Sequence, residues 1–113
     1  MNSGGNPLSS ASPEAMRLYA ALIAVVRTFG IYREEPKKTS IHLANKSAFI
    51  GVHFRRTYLI LTLKSASRID SSRVVKAEQV SKNRWHCEVK LAEHSEIDDA
   101  LRGWIRAAYQ LCG

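Results

Sequence analysis

Apolar residues recur along this chain with two different periods, and the change of period marks its elements. Between Pro13 and Phe29 the residues Ala15, Leu18, Leu22, Val25, Val26 and Phe29 fall at helical spacing and form one stripe. Ser12, just before it, offers an oxygen to the free N–H groups of a first turn. Pro13 suits the first helical position, and Gly30 supplies the stop. From Thr39 to Lys64 the pattern alternates with a period of two, which predicts three strands. Two-residue turns at Asn45-Lys46 and Arg55-Arg56 pair Leu43 with Ala48, Ile41 with Ile50, Val52 with Leu59 and Ile50 with Leu61. Each turn independently puts Ile41, Leu43, Ala48, Ile50, Val52, Phe54, Leu59, Leu61 and Leu63 on one face. A slip of one residue in either turn would scatter this set. Neither turn contains the favoured glycine, so loops one or two residues longer also fit.

After a loop at Ala66–Ser72, the segments Val74–Val80 and Arg84–Leu91 read as a further hairpin. In the second of these, Trp85, Cys87, Val89 and Leu91 alternate with Arg84, His86, Glu88 and Lys90. Ser95-Glu96-Ile97-Asp98 reads as the start of a last helix, capped by Ser95. Its buried stripe is Ile97, Leu101, Trp104, Ile105, Ala108 and Leu111. Ile31–Lys38 reads as a charged connector, since Pro36 has no N–H to donate. The expected fold is α+β: a five-stranded antiparallel meander with N-terminal and C-terminal helices packed on its aliphatic face. Met1–Ala11, mostly Ser, Gly, Asn and Pro, is expected to be a mobile tail. Residues 12–113 are expected to form one domain.

Packing both helices on the aliphatic face leaves the other face open. The assumed register places His42, Phe49, His53, Tyr58 and Lys64 there. Charge sharpens the picture. The chain carries 17 Lys and Arg against 10 Asp and Glu, a net of +7. Seven of the basic residues lie between Arg33 and Lys64, with two acids among them. Aromatic rings on a sheet with cationic rims can stack bases and pair with phosphates. The candidate binding residues are therefore Lys37, Lys38, His42, Phe49, His53, Arg55, Arg56, Tyr58 and Lys64, with nucleic acid or another anion as the partner. A second reading buries the same face in a homodimer or against a partner protein. A third places a small ligand between sheet and helices, against which the large inner aliphatics suggest a filled core.

Other chemistry finds little support in the residues. His42 sits opposite Phe49 in the assumed register, about 13 Å along the strand from His53, too far to share an ion. No cofactor is expected. Cys87 alternates with core residues, where a thiol is usually inert, and the chain has no nucleophile elbow, Walker loop or dinucleotide fingerprint. Catalysis is not expected. The two cysteines, Cys87 and Cys112, have no metal spacing and read as reduced thiols of a cytoplasmic protein. No apolar run reaches membrane-spanning length, and the N-terminus lacks the pattern of a secretory signal.

The segments Glu35–Thr39, Phe49–Lys64 and Trp85–Tyr109 carry a resemblance. Its motifs are Pro-Lys-Lys-Thr at Pro36–Thr39, Arg-x-x-Tyr-Leu at Arg55–Leu59, a strand ending in Lys64, and Ile-x-x-Ala-Tyr at Ile105–Tyr109. Together they resemble an uncharacterised bacterial family of domains of unknown function. Its members stand alone or are attached to proteins labelled as predicted transport or nuclease-like. The resemblance covers about residues 14–112. It implies a compact α+β domain and no established activity.

Overall fold

The structure, a computed structural model, describes residues 7–113. Of the expected tail, residues 1–6 lie outside the described residues, and Pro7–Ser10 form a 3-10 turn with Pro7 buried. Helix α1 spans Pro13–Arg27. The Ser12 side chain accepts the Ala15 N–H at 3.1 Å, and Pro13 occupies the first turn as expected. The helix buries Ala15, Leu18, Tyr19, Leu22, Ile23, Val25 and Val26. Gly30 follows with φ of +142°, a left-handed conformation that favours glycine. A side chain there would also meet the Tyr109 hydroxyl, which donates to the Ile31 carbonyl at 2.8 Å.

The sheet has six antiparallel strands where five were expected: β1 (Arg33–Pro36), β2 (Ser40–Ala44), β3 (Ala48–Phe54), β4 (Leu59–Ser65), β5 (Val74–Ser81) and β6 (Arg84–Leu91). The added strand is part of the expected connector. Pro36 cannot donate to a ladder, which confines it to an edge, and β1 is an edge strand paired with β2 alone. Glu34 holds it in place, accepting from the hydroxyls of Tyr19 at 2.6 Å and Tyr32 at 3.2 Å. Burial and the Glu34 carboxylate together push the Tyr19 phenol upward from its ordinary pKa.

The strand order is β1-β2-β3-β4-β6-β5, so the chain steps across the sheet one strand at a time only as far as β4. The final hairpin then sets β6 inside and β5 outside. Burial explains the choice: β6 hides Cys87, Val89 and Leu91 completely, whereas β5 leaves Val75 and Val80 exposed and carries Lys76 and Glu78.

Both inner hairpins have longer loops than two residues. The first pairs Leu43 with Ile50 and Ile41 with Val52; the second pairs Phe54 with Leu59 and Val52 with Leu61. Each register differs from the expected one by two residues, an even number, so the aliphatic face survives. A β-bulge at the end of the first hairpin breaks the parity. Leu43 faces Ile50 but Ala44 faces Ala48, which leaves Phe49 as the extra residue. Phe49 turns inward and is fully buried, packing edge-on against Tyr109 with ring centroids 5.3 Å apart.

Helix α2 (Asp99–Leu111) packs on β3 and β4 and buries Leu101, Ile105 and Ala108. Its cap is Asp98, not Ser95. The Asp98 carboxylate accepts the Leu101 N–H at 2.9 Å and pairs with Arg73 at 3.0 Å. That backbone bond, with help from Arg73, holds Asp98 below the usual carboxylate range. Ser95 lies instead in a 3-10 turn, His94–Glu96, closed by Glu93 and Glu96. The far end of α2 is tied to the first hairpin. The Cys112 carbonyl accepts the N–H groups of Lys46 and Ser47, and Asn45 donates to the Tyr109 carbonyl. One core results, shared by both helices and the inner sheet face. Among the described residues no helix is long and apolar enough to cross a membrane.

Candidate functional site

Four of the predicted cations stand at one end of the sheet. Lys37 and Lys38 occupy the turn between β1 and β2, and Arg55 and Arg56 the loop between β3 and β4. All four are exposed. Adjacent pairing of β2 with β3 brings the two loops side by side, because Ser40 faces His53 and the loops begin just beyond that pair. The arginine loop is pinned. Arg55 N–H donates to the Tyr58 carbonyl at 2.9 Å, and the Ser12 hydroxyl donates to the Arg56 carbonyl at 2.5 Å. The residue that caps α1 therefore also fixes the backbone that carries both guanidinium groups. A hollow of about 570 Å³ lies between these parts. Lys38, Arg55 and Arg56 line it with Ser12, Thr39 and Phe54, and among the described residues its lining holds no carboxylate. Three cations without an acidic neighbour in the lining make this notch attractive to an extended anion.

The outer sheet face carries the other predicted polar residues. His42 is half-buried on β2 opposite Gly51, and His53 half-buried on β3 opposite Ser40. Lys64 on β4 donates to the Ala48 carbonyl at 3.0 Å and lies beside His86, its partner on β6. These residues surround a hollow of about 180 Å³ whose lining includes Gly51 and Thr62. The two histidines thus come together, contrary to the expected 13 Å separation. The longer first loop moves His42 from opposite Phe49 to opposite Gly51, two residues from His53. Partial burial, then Lys37 and His53, hold His42 below the ordinary imidazole range, while Glu35 acts the other way. Partial burial and Lys64 do the same to His86, with Glu78 opposing and Arg84 adding to the shift. Among the described residues, no three His, Cys, Asp or Glu side chains are placed to share a metal ion.

The aromatic platform does not assemble. Phe49 belongs to the core, for the reason given by the bulge, and offers no ring to a partner. Tyr58 stays on the outer face, half-buried, with the Lys90 ammonium 4.4 Å from its ring centre. The outer face is also mixed in charge, since Glu35 lies opposite His42 and Glu78 opposite His86. A hollow of about 410 Å³ opens between the two helices, beside Ala24, Phe29, Arg102 and Arg106, and not between helices and sheet. Cys87 is fully buried, and both cysteines are free thiols.

Two contributors escaped the reading of the sequence. Ser12 was assigned a helix cap, and its second bond to the Arg56 carbonyl joins residues 44 apart, which no local pattern reveals. Gly51 did leave a signal. A glycine inside a strand often marks a place where something approaches the backbone closely, and here the His42 and His53 rings do.

Comparison with known proteins adds a family and no activity. No curated protein and no solved structure matches the chain. A family model described as a domain of unknown function, DUF5655, matches residues 6–112, a stretch that holds both helices and all six strands. With nearly its whole length covered, the chain belongs to the DUF5655 family.

Proposed function

We propose that this domain is a non-enzymatic binding module that holds an anionic polymer, most simply a nucleic-acid backbone, in the notch formed by Lys38, Arg55 and Arg56, with Lys37 at its edge. The observation that carries the reading is the convergence of cations from two loops on one hollow whose lining, among the described residues, has no acid. The net charge of +7 supports it by favouring encounter with polyanions. Rigid presentation supports it too, since Ser12 fixes the arginine loop before any partner arrives. Burial of Phe49 and coverage of Tyr58 change the expected mode. Recognition here rests on charge and not on stacking, so single strands and duplexes are held alike. Full burial of Cys87 favours binding over nucleophilic catalysis, and two free thiols favour a reducing, cytoplasmic setting.

Salt dependence is the test. With three or four phosphate contacts, affinity falls about 40- to 150-fold for a labelled duplex and about 20- to 50-fold for a labelled single strand as salt rises from about 50 to about 200 mM. Replacement of Arg55 and Arg56 by Gln reduces the affinity and flattens that dependence. Fluorescence anisotropy with matched single- and double-stranded probes reads both effects. No binding to either probe at low salt would remove the proposal. A strong preference for single strands would restore stacking as the mechanism.

A further inference from the structure

Separately from the cationic notch, we propose that the hollow over Gly51 is a site for one tetrahedral oxyanion, a phosphate or phosphomonoester group, held by Lys64 with His42, His53 and His86. The hollow exists because Gly51 presents bare backbone between His42 on β2 and Thr62 on β4. A Cβ at Gly51 would stand 3.7 Å from His53 Nε2 and 3.8 Å from His42 Cδ2, so both rings lean over the same spot. His86 and Lys64 close the side nearer β6, where the two residues are paired. Residues that carry N–H donors therefore line one small hollow from four adjacent strands, and among the described residues no carboxylate lines it.

The donor set suits an oxyanion better than a cation. Lys64 uses one N–H on the Ala48 carbonyl and keeps two. Each neutral imidazole keeps one N–H donor, and bonds from an ammonium to phosphate oxygens are charge-assisted. A metal ion in the same place would face the Lys64 ammonium with no acid to balance it. Volume matches as well: about 180 Å³ is small for an organic ligand and ample for a single phosphate group. Glu35 and Glu78, which act on His42 and His86 from the flanking strands, lie outside the hollow's lining.

The test uses the full chain and two probes, inorganic phosphate and a nucleoside 5′-monophosphate, followed through the histidine ring resonances by NMR. His42, His53 and His86 should shift together and saturate. Gly51→Ala adds a methyl group that meets its neighbours at ordinary contact distance, so the sheet stays folded while the hollow is partly filled. That variant and Lys64→Gln each weaken binding by about tenfold or more, the loss expected for a charge-assisted bond or its room. An unchanged melting temperature for Gly51→Ala separates lost binding from lost structure. A response to phosphate alone assigns the free anion; a stronger response to the nucleotide assigns a phosphate carried by a larger molecule. Rings unmoved by both probes would overturn the site, as would native affinity in both variants.

Discussion

At the scale of single residues, Phe49 shows how one extra position decides a role. Strict alternation puts it beside His42 and His53, and a bulge turns it inward against Tyr109. Its ring is fully buried, so Phe49→Ala leaves a cavity and costs about 3–5 kcal/mol of stability. His53, four residues further along β3 and half-buried, packs on no other aromatic ring among the described residues. His53→Ala stays within about 0.5 kcal/mol of the native chain. Urea denaturation of the two variants distinguishes the observed placement from the alternating one, in which the costs would be similar and small. The alternation itself was legible in the sequence, but the bulge was not. It depends on how the first loop meets the end of α2, where Lys46 and Ser47 donate to the Cys112 carbonyl. That contact joins residues far apart in the chain and has no local signature.

Elements were easier to read than their neighbours. Both helices follow from their apolar stripes. Five of the six strands were expected, four of them from alternation, and the two-residue error in both registers left their faces correct except at the bulge. Strand β1 was missed because its four residues, Arg-Glu-Glu-Pro, have no apolar side to show. What makes it a strand is tertiary: Glu34 receives two tyrosine hydroxyls, one from α1. Glu34→Ala leaves the hydroxyl of the buried Tyr19 without that partner, at a cost of about 1–3 kcal/mol. The effect should be local. Amide hydrogen exchange at Arg33–Glu35 should speed up while β3 and β4 keep their protection. Equal acceleration across the sheet would show that β1 is no separate edge but part of the cooperative core. The order of the last hairpin was also out of reach, since an alternating strand such as β6 could pair on either side. Its fully buried Cys87, Val89 and Leu91 place it inside once the helices are present.

Across the whole molecule, the fold sorts its side chains into three regions. Buried aliphatics and Phe49 lie beneath the helices, His42, His53, His86 and Lys64 lie on the outer sheet face, and Lys37, Lys38, Arg55 and Arg56 gather at one end. The cations were legible as candidates because they occupy turns, and turns at the same end of adjacent hairpins must be neighbours. Their convergence with the start of α1 was not legible, because it depends on the Ser12 bond. The DUF5655 family carries no described activity, so the physical arrangement of these regions is what points to a partner. The most direct measurement is a map of backbone amide shifts during titration of the full chain with a short DNA duplex at low salt. The largest changes are expected at Lys37–Thr39 and Phe54–Thr57, with α2 and β5 nearly silent. Changes centred on α2, or none at saturating duplex, would contradict the cationic notch as the binding site.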